Sequence, residues 1–260
     1  MEIIDVALRA AERASEILLG YQGRLEKEEI AFKSKNDYVT KADREAEEKI
    51  IETIKTYFPD HSIVAEESGT SGNSDYTWYI DPLDGTKNFI HGLPVFSVSI
   101  GVAFKGEMIA GVVSIPKLNE VFSAEKGSGA FCNGEKIKVS DRPFNEGLIA
   151  TGFPFKGKEM LDDYLVCFKE VFFSVSGVRR CGSAAIDLAY TAKGIFDGFW
   201  ELSLKAWDIA AGVLLIEEAG GTVSDFKGGR DFLRTGNIIG ASQSSYKHLF
   251  SIVNKYLGGF

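Results

Sequence analysis

The stretch Trp78-Tyr79-Ile80-Asp81-Pro82-Leu83-Asp84-Gly85-Thr86-Lys87-Asn88-Phe89 decides how this chain reads. The β-type run Trp78–Ile80 ends in Asp81. Proline at 82 fixes φ and removes a backbone donor, so the sequence predicts that the chain leaves its sheet there. Asp84, Gly85 and Thr86 then bring helix-capping residue types and a permissive glycine, the marks of a turn into a helix. Two carboxylates three residues apart at a strand end can converge on a cation. Backbone N–H groups at the start of the next helix can hold an anion. An isolated Asp-x-x-Asp reads more simply as a capped turn; the full string from Asp81 to Phe89 is what points to a metal-plus-phosphate site.

On the N-terminal side, Ile3, Ile4, Ala7, Leu8, Ala11, Ala14, Ile17 and Leu18 recur at three and four residues and predict one helix. A second is predicted from about Asp43 to Tyr57, with Ala46, Ile50, Ile51, Ile54 and Phe58 on its buried side. The polar stretch Lys33–Asp37 between them reads as a loop. Strands are predicted at Ser62–Ala65, Trp78–Ile80, Val95–Phe104, Met108–Ile115 and Val121–Ala124. The Gly/Ser/Asn-rich segment Ser68–Ser74 reads as the most flexible part of the chain. Beyond it the sequence predicts strands at Leu148–Thr151, Ser174–Val178, Phe196–Glu201, Thr222–Ser224 and Ile238–Ala241. Helices are predicted at Lys158–Phe172, Ala184–Lys193, Asp208–Ala219 and Ser244–Tyr256. This alternation predicts a layered α/β fold. The boundary between an N-terminal half, 1–143, and a C-terminal half, 144–260, falls where the pattern changes.

Composition narrows the function classes. The 260 residues carry 29 basic and 37 acidic side chains, a net charge of −8, which disfavours non-specific nucleic-acid binding. Acidity leaves a phosphate substrate open, because a bound metal can invert the local field. Cys132, Cys167 and Cys181 are widely spaced and odd in number, with no metal or redox motif, as expected in a reducing cytoplasm. The longest apolar-and-glycine run, Ile209–Ile216, falls well short of the ~18 residues of a membrane span, and the first fifteen residues do not read as a signal peptide. His61, His91 and His248 are scattered and read as surface or capping residues rather than a metal set.

Several segments together make the sequence resemble the inositol monophosphatase family of metal-dependent phosphatases. They are Ala65-Glu66-Glu67-Ser68, the Asp81–Phe89 string, Trp207-Asp208-Ile209-Ala210-Ala211-Gly212 and Asn237–Ser242. Gly127–Gly134 and Lys33–Asp43 also match, and the order fits from about residue 2 to 256. The resemblance implies the family's alternating helix and sheet layers, the sugar-phosphatase fold. It implies that Glu66, Asp81 and the Leu83 carbonyl hold one Mg²⁺ and that Asp81, Asp84 and Asp208 hold a second. A third, weaker ion is expected near Glu66 and the Lys33–Asp37 loop. Oxygen-only donor sets select hard cations of this kind.

The resemblance further implies hydrolysis of inositol 1-phosphate by direct attack of water. Glu66 and Thr86 would orient that water, and the amides of Asp84, Gly85 and Thr86 would cradle the phosphoryl group. Gly182, Ser183, Ala184 and Glu201 align with positions that contact ring hydroxyls. Arg179, Arg180 and Lys205 flank these segments and are either solvated surface or contacts to a second phosphate or a polyol. Glu67 is expected to face away from Glu66, as strand neighbours do. Asp208 fits an N-cap as well as a metal ligand, and Trp207 is expected in the core. A homodimer is the family expectation, with no membrane or nucleic-acid partner. The rivals are a dual enzyme that also takes fructose 1,6-bisphosphate, a 3′-phosphonucleotide phosphatase, and a non-catalytic protein associated with transcription.

Overall fold

The computed structural model describes residues 1–34, 37–155 and 158–260. The alanine-rich apolar face predicted near the N-terminus builds α1 (Ile3–Tyr21), burying Val6, Ala7, Ala10, Ala11, Ala14 and Leu18. At the ends of the stretch read as a loop, Lys33 and Ser34 belong to β1 (Ile30–Ser34) and Asp37 to β2 (Asp37–Thr40), which pair antiparallel through Ile30–Thr40 and Phe32–Tyr38; residues 35 and 36 lie outside the described ones. Thr40 then caps α2 (Lys41–Tyr57), accepting from the amides of Ala42 and Asp43, while Asp43 Oδ2 accepts from the Thr40 amide at 2.8 Å. This reciprocal capping sets where α2 begins. Small residues on α1 and α2 let the two helices pack together and onto one face of a sheet.

That sheet contains β3 (Ser62–Ala65), β4 (Gly69–Ser71), β5 (Tyr76–Asp84), β6 (Ser97–Phe104), β7 (Glu107–Ile115), β8 (Glu120–Glu125), β9 (Gly129–Cys132) and β10 (Glu135–Lys136), with α3 (Thr86–Ile90) between β5 and β6. Its order is β10-β9-β8-β7-β6-β5-β3-β4, antiparallel except where β3 runs parallel to β5. The segment read as flexible thus supplies an edge strand, with Ile63 opposite Ser71 and Ala65 opposite Gly69. Side chains alternate along the strands. Trp78, Ile80, Val98, Ile100, Val102 and Val112 face α1 and α2, whereas Tyr79 and Val113 face the other side.

The remainder follows as β11 (Leu148–Thr151), α4 (Leu161–Ser174), β12 (Gly177–Arg179), α5 (Ala184–Ala192), β13 (Gly198–Glu201), α6 (Ala206–Glu218), β14 (Thr222–Ser224), α7 (Phe232–Thr235), β15 (Ile238–Ala241) and α8 (Gln243–Leu257). A second sheet orders these strands β12-β11-β13-β15-β14. The apolar helices α5 and α6 lie between the two sheets, and α4 and α8 cover the far face of the second. The layers therefore run helix, sheet, helix, sheet, helix. This is the alternation the sequence predicts, and it buries α5 and α6 on nearly every side. Ser174 belongs to α4 rather than to the strand predicted there. No helix among the described residues is long and apolar enough to cross a membrane.

Candidate active site

Pro82 does not end its strand. β5 pairs with β6 through Asp81–Ser99 and re-pairs at Asp84–Ser97, so one extra residue bulges between them. A bulge bends the strand and re-aims its side chains without breaking the sheet, and it absorbs the proline's missing donor. Asp81 Oδ1 accepts the Leu83 amide at 3.0 Å across the bulge. Gly85 follows at φ +93°, and a Cβ there would come within 3.0 Å of the Val95 carbonyl, so only glycine fits this approach. The next turn carries Thr86, whose hydroxyl lies 3.1 Å from the Leu83 carbonyl and 3.3 Å from Asp43 Oδ1.

Three other elements converge on this corner. The turn after β3 carries Glu66, tied to β5 by its own amide, which donates to the Ile80 carbonyl at 3.1 Å. Glu66 and Glu67 thus sit on a turn, so strand alternation is not what separates them. The start of α5 meets Asp84: the Ser183 hydroxyl donates to Asp84 Oδ2 at 2.7 Å and the Ala185 amide donates at 2.8 Å. The start of α6 carries Asp208, held near the sheet where the Ser99 hydroxyl donates to the Trp207 carbonyl at 3.1 Å. Asp208 is the third residue of α6 and not its cap; its Oδ2 accepts the amide of Lys205, the capping position, at 2.7 Å. Trp207 is half-buried, outside the core the sequence predicts for it.

These elements enclose a cavity of about 190 Å³ lined by Glu66, Asp81, Leu83, Asp84, Gly85 and Thr86, with Gly182, Ser183, Ala184 and Glu201 beyond them and Arg180 and Asp208 at its sides. Asp187 also lines it. Larger grooves exist: one of about 790 Å³ beside α1, and one of about 720 Å³ where Glu47, Glu48, Glu52, Glu66 and Glu67 line α2 and the turn after β3 with Arg44, away from Asp81, Asp84 and Asp208. The cavity walls hold six carboxyl side chains against one guanidinium. The electrostatic consequence is plain. Burial pushes the Asp81 carboxyl well above the usual range, and the neighbouring Glu66, Asp84 and Asp208 charges push it further. Burial raises Asp84 to about 6 despite its bonds to Ser183 and Ala185. Burial likewise raises Glu201 and Asp187.

Lys205 is a correction: it is exposed at the start of α6 and does not line the cavity. Arg179 is also exposed, turned back on the Val178 carbonyl at 3.0 Å. Arg180 is the cation that reaches the site, with its guanidinium 5.6 Å from the Phe155 ring. His61 is not a plain surface residue either. It stacks between Phe58 and Tyr76, and its Nδ1 accepts from Trp78 Nε1 at 3.0 Å.

Among the described residues, no three acid, His or Cys side chains stand in a ready-made ion-holding array. The site's carboxyls instead bond to protein donors, as Asp84 and Asp208 do, and the Asp81 carboxyl bonds to that of Glu66. The donor chemistry nevertheless fits hard cations: every donor is oxygen, and the acids carry unrelieved mutual repulsion that a cation would remove. The third ion expected beside Lys33–Asp37 depends in part on residues 35 and 36, which lie outside the described ones.

The model of the Inositol monophosphatase family matches residues 1–257. The chain belongs to this family. It is 43% identical over 262 residues to the Nus factor SuhB of Pseudomonas aeruginosa, covering 98% of this chain and 97% of that one. It is 41% identical over 258 residues to the inositol-1-monophosphatase of Mesorhizobium japonicum, at 98% and 97% coverage. The crystal structure of the extragenic suppressor protein suhB of Bartonella henselae superimposes with a TM-score of 0.93 at 41% identity, covering 97% of this chain and 98% of that chain. Inositol monophosphatase family membership, with a relative named as such an enzyme, indicates a phosphatase and a phosphorylated sugar or cyclitol as its class of substrate.

Proposed function

We propose that this protein hydrolyses inositol 1-phosphate to myo-inositol and phosphate, with Mg²⁺ as cofactor and water as the direct nucleophile. The observation that carries the reading is the excess of carboxyl groups over cations in the cavity. A phosphate dianion cannot enter such a field without added positive charge. In this reading Glu66, Asp81 and the Leu83 carbonyl hold one ion, Asp81, Asp84 and Asp208 a second, and Glu66 shares a weaker third. Bound divalent ions would supply Lewis-acid charge and lower the pKa of water toward neutrality.

The protein's own residues do the rest. Thr86 has one hydroxyl proton, which it donates within the protein, with the Leu83 carbonyl at 3.1 Å and Asp43 Oδ1 at 3.3 Å as its acceptors. A hydroxyl so committed can only accept, so its lone pairs face the attacking water, with Glu66 on the other side. The amides of Asp84, Gly85 and Thr86 receive phosphoryl oxygens. Gly182, Ser183, Ala184 and Glu201 meet ring hydroxyls. A Cβ on Gly152 would fall 1.9 Å from Glu201 Oε1, so glycine at that position leaves Glu201 its room. No Cys-x₅-Arg nucleophile motif is present, and no phosphoenzyme is required. The halves 1–143 and 144–260 supply opposite walls, the first the bulge and the second α5, α6 and Glu201.

Two further readings have specific support. Arg180 lines the cavity and could meet the second phosphate of fructose 1,6-bisphosphate. The relatives named Nus factor SuhB support a role in transcription, by contact with a protein partner, alongside or in place of catalysis. Initial rates on inositol 1-phosphate, fructose 1,6-bisphosphate and 3′-phosphoadenosine 5′-phosphate at fixed Mg²⁺ test the reading. Inositol 1-phosphate is expected to turn over fastest. A preference for either other substrate, or turnover of none, contradicts it.

A further inference from the structure

Glu47 is a buried carboxylate to which the site as described gives no task. It lies one turn beyond Asp43 on α2 and is 3% exposed. Its two oxygens are both engaged: Oε2 accepts the Glu67 amide at 2.8 Å and Oε1 accepts the Ser68 amide at 2.7 Å. Two consecutive amides on the two oxygens of one carboxylate form a charge-assisted, two-point clamp, which fixes orientation as well as distance. The clamped residues immediately follow Glu66.

Satisfying two amides does not by itself account for this arrangement. Ser68 is exposed and Glu67 half-buried, so solvent could serve at least the Ser68 amide. Burying a carboxylate costs free energy that solvent would not demand. The clamp matters for what it holds still. On one side the Glu66 amide is tied to β5, the strand that carries Asp81. On the other, Glu47 ties the same turn to α2. That helix also carries Asp43, which meets Thr86. Residues four apart share a helix face, so Asp43 and Glu47 form a two-point gauge that sets the Thr86 turn and the Glu66 turn relative to each other.

We infer that Glu47 is a positioning residue for Glu66, holding the Glu66–Ser68 turn so that the Glu66 carboxylate faces Asp81 and Thr86 across the cation site. This rests on the reading of Glu66 as a cation ligand. Residues that support metal ligands at one remove typically change metal affinity or activity by about 10- to 100-fold when altered.

The test is calorimetric titration of Mg²⁺ into the metal-free full chain, for wild type, Glu47→Gln and Glu66→Gln, with melting curves as the measure of folding. Glu47→Gln keeps the side-chain size but turns an NH₂ toward one of the two amides. A folded Glu47→Gln chain is expected to bind Mg²⁺ about tenfold or more weakly. Its KM for inositol 1-phosphate at saturating Mg²⁺ should stay close to wild type. Wild-type affinity in folded Glu47→Gln, beside a clear loss in Glu66→Gln, overturns the positioning role and leaves the proposed function standing. Wild-type affinity in Glu66→Gln removes Glu66 from the cation site and the inference with it. If Glu47→Gln does not fold, amide hydrogen exchange on the metal-free wild type decides. The Glu67 and Ser68 amides are expected to be protected and to slow further when Mg²⁺ is added. Exchange at the rate of open turn amides, unchanged by Mg²⁺, overturns the inference.

Discussion

Asp84 carries opposing demands. Its Oδ2 is bonded by the Ser183 hydroxyl and the Ala185 amide, yet burial raises its pKa from 3.8 to about 6. In the metal-free protein the folded chain therefore binds more protons than the unfolded chain between about pH 4 and pH 6. Stability contributed by this group is present below its unfolded pKa and falls as pH rises through that window. Asp84→Asn has no such proton to lose, and its amide oxygen can still accept from Ser183 and Ala185. Metal-free Asp84→Asn is thus expected to melt above wild type at pH 7, with the gap closing by about pH 4; no change in the gap with pH would contradict this. With Mg²⁺ present, the same variant should lose at least about 10²-fold in kcat, the scale of a major electrostatic contribution to the transition state. A near-wild-type kcat would leave Asp84 as a capping residue only. Glu66, Asp81, Asp84, Thr86 and Asp208 come from separated segments that the family resemblance brought together, and the structure gathers all five around one cavity. Asp43 and Glu47 were not assigned roles, although a signal existed: two acids four apart on the same helix face as Ala46 and Ile50 are out of place unless something buried needs them. Lys205 was placed at the site on nearness in sequence to Asp208, which says nothing about direction; the side chain is exposed and outside the cavity lining.

At the scale of elements, the site depends on α6 lying close to β6 and β7. A Cβ on Gly101 would come within 2.6 Å of Ala210 Cβ, and one on Gly111 within 2.8 Å of the Ala211 carbonyl. Both contacts are with a helix whose first turn carries Asp208. Gly101→Ala should overpack this interface at a cost of about 1–3 kcal/mol, lowering Tm by several degrees on the rough scale of ~2–4 °C per kcal/mol for a chain of this size. Because α6 must move outward, Mg²⁺ affinity should fall as well. Unchanged Tm and affinity in this variant would mean that the contact is looser than it stands here. Long periodic elements were readable: α1 and α2 follow their apolar patterns closely, and the short apolar strands β14 and β15 have the bounds the sequence predicts. A strand held by backbone pairing alone, and a strand's passage across a proline, were not. β4 is Gly-Thr-Ser on a sheet edge, with no apolar face to announce it, and β5 crosses a proline by bulging. Local propensity argues against both, and the sheet overrides it.

For the whole molecule, the five alternating layers leave an apolar surface on α4. α4 buries Tyr164, Cys167 and Val171, but Leu165 is 44%, Phe172 54% and Phe173 76% exposed. An exposed face of this kind often marks an interface, and the homodimer implied by the family resemblance could use it. Sedimentation velocity at micromolar concentration is expected to give a dimer for wild type and a monomer for Leu165→Asp/Phe172→Asp; a dimer in both would move the interface elsewhere. The central claim is that the acidic cavity becomes a phosphatase site when divalent cations neutralise it. Phosphate release from inositol 1-phosphate by exhaustively chelated protein, before and after Mg²⁺ is restored, tests this most directly. The account predicts no turnover without the ion and full recovery with it, whereas turnover undiminished by chelation, or none after Mg²⁺ is restored, would contradict it.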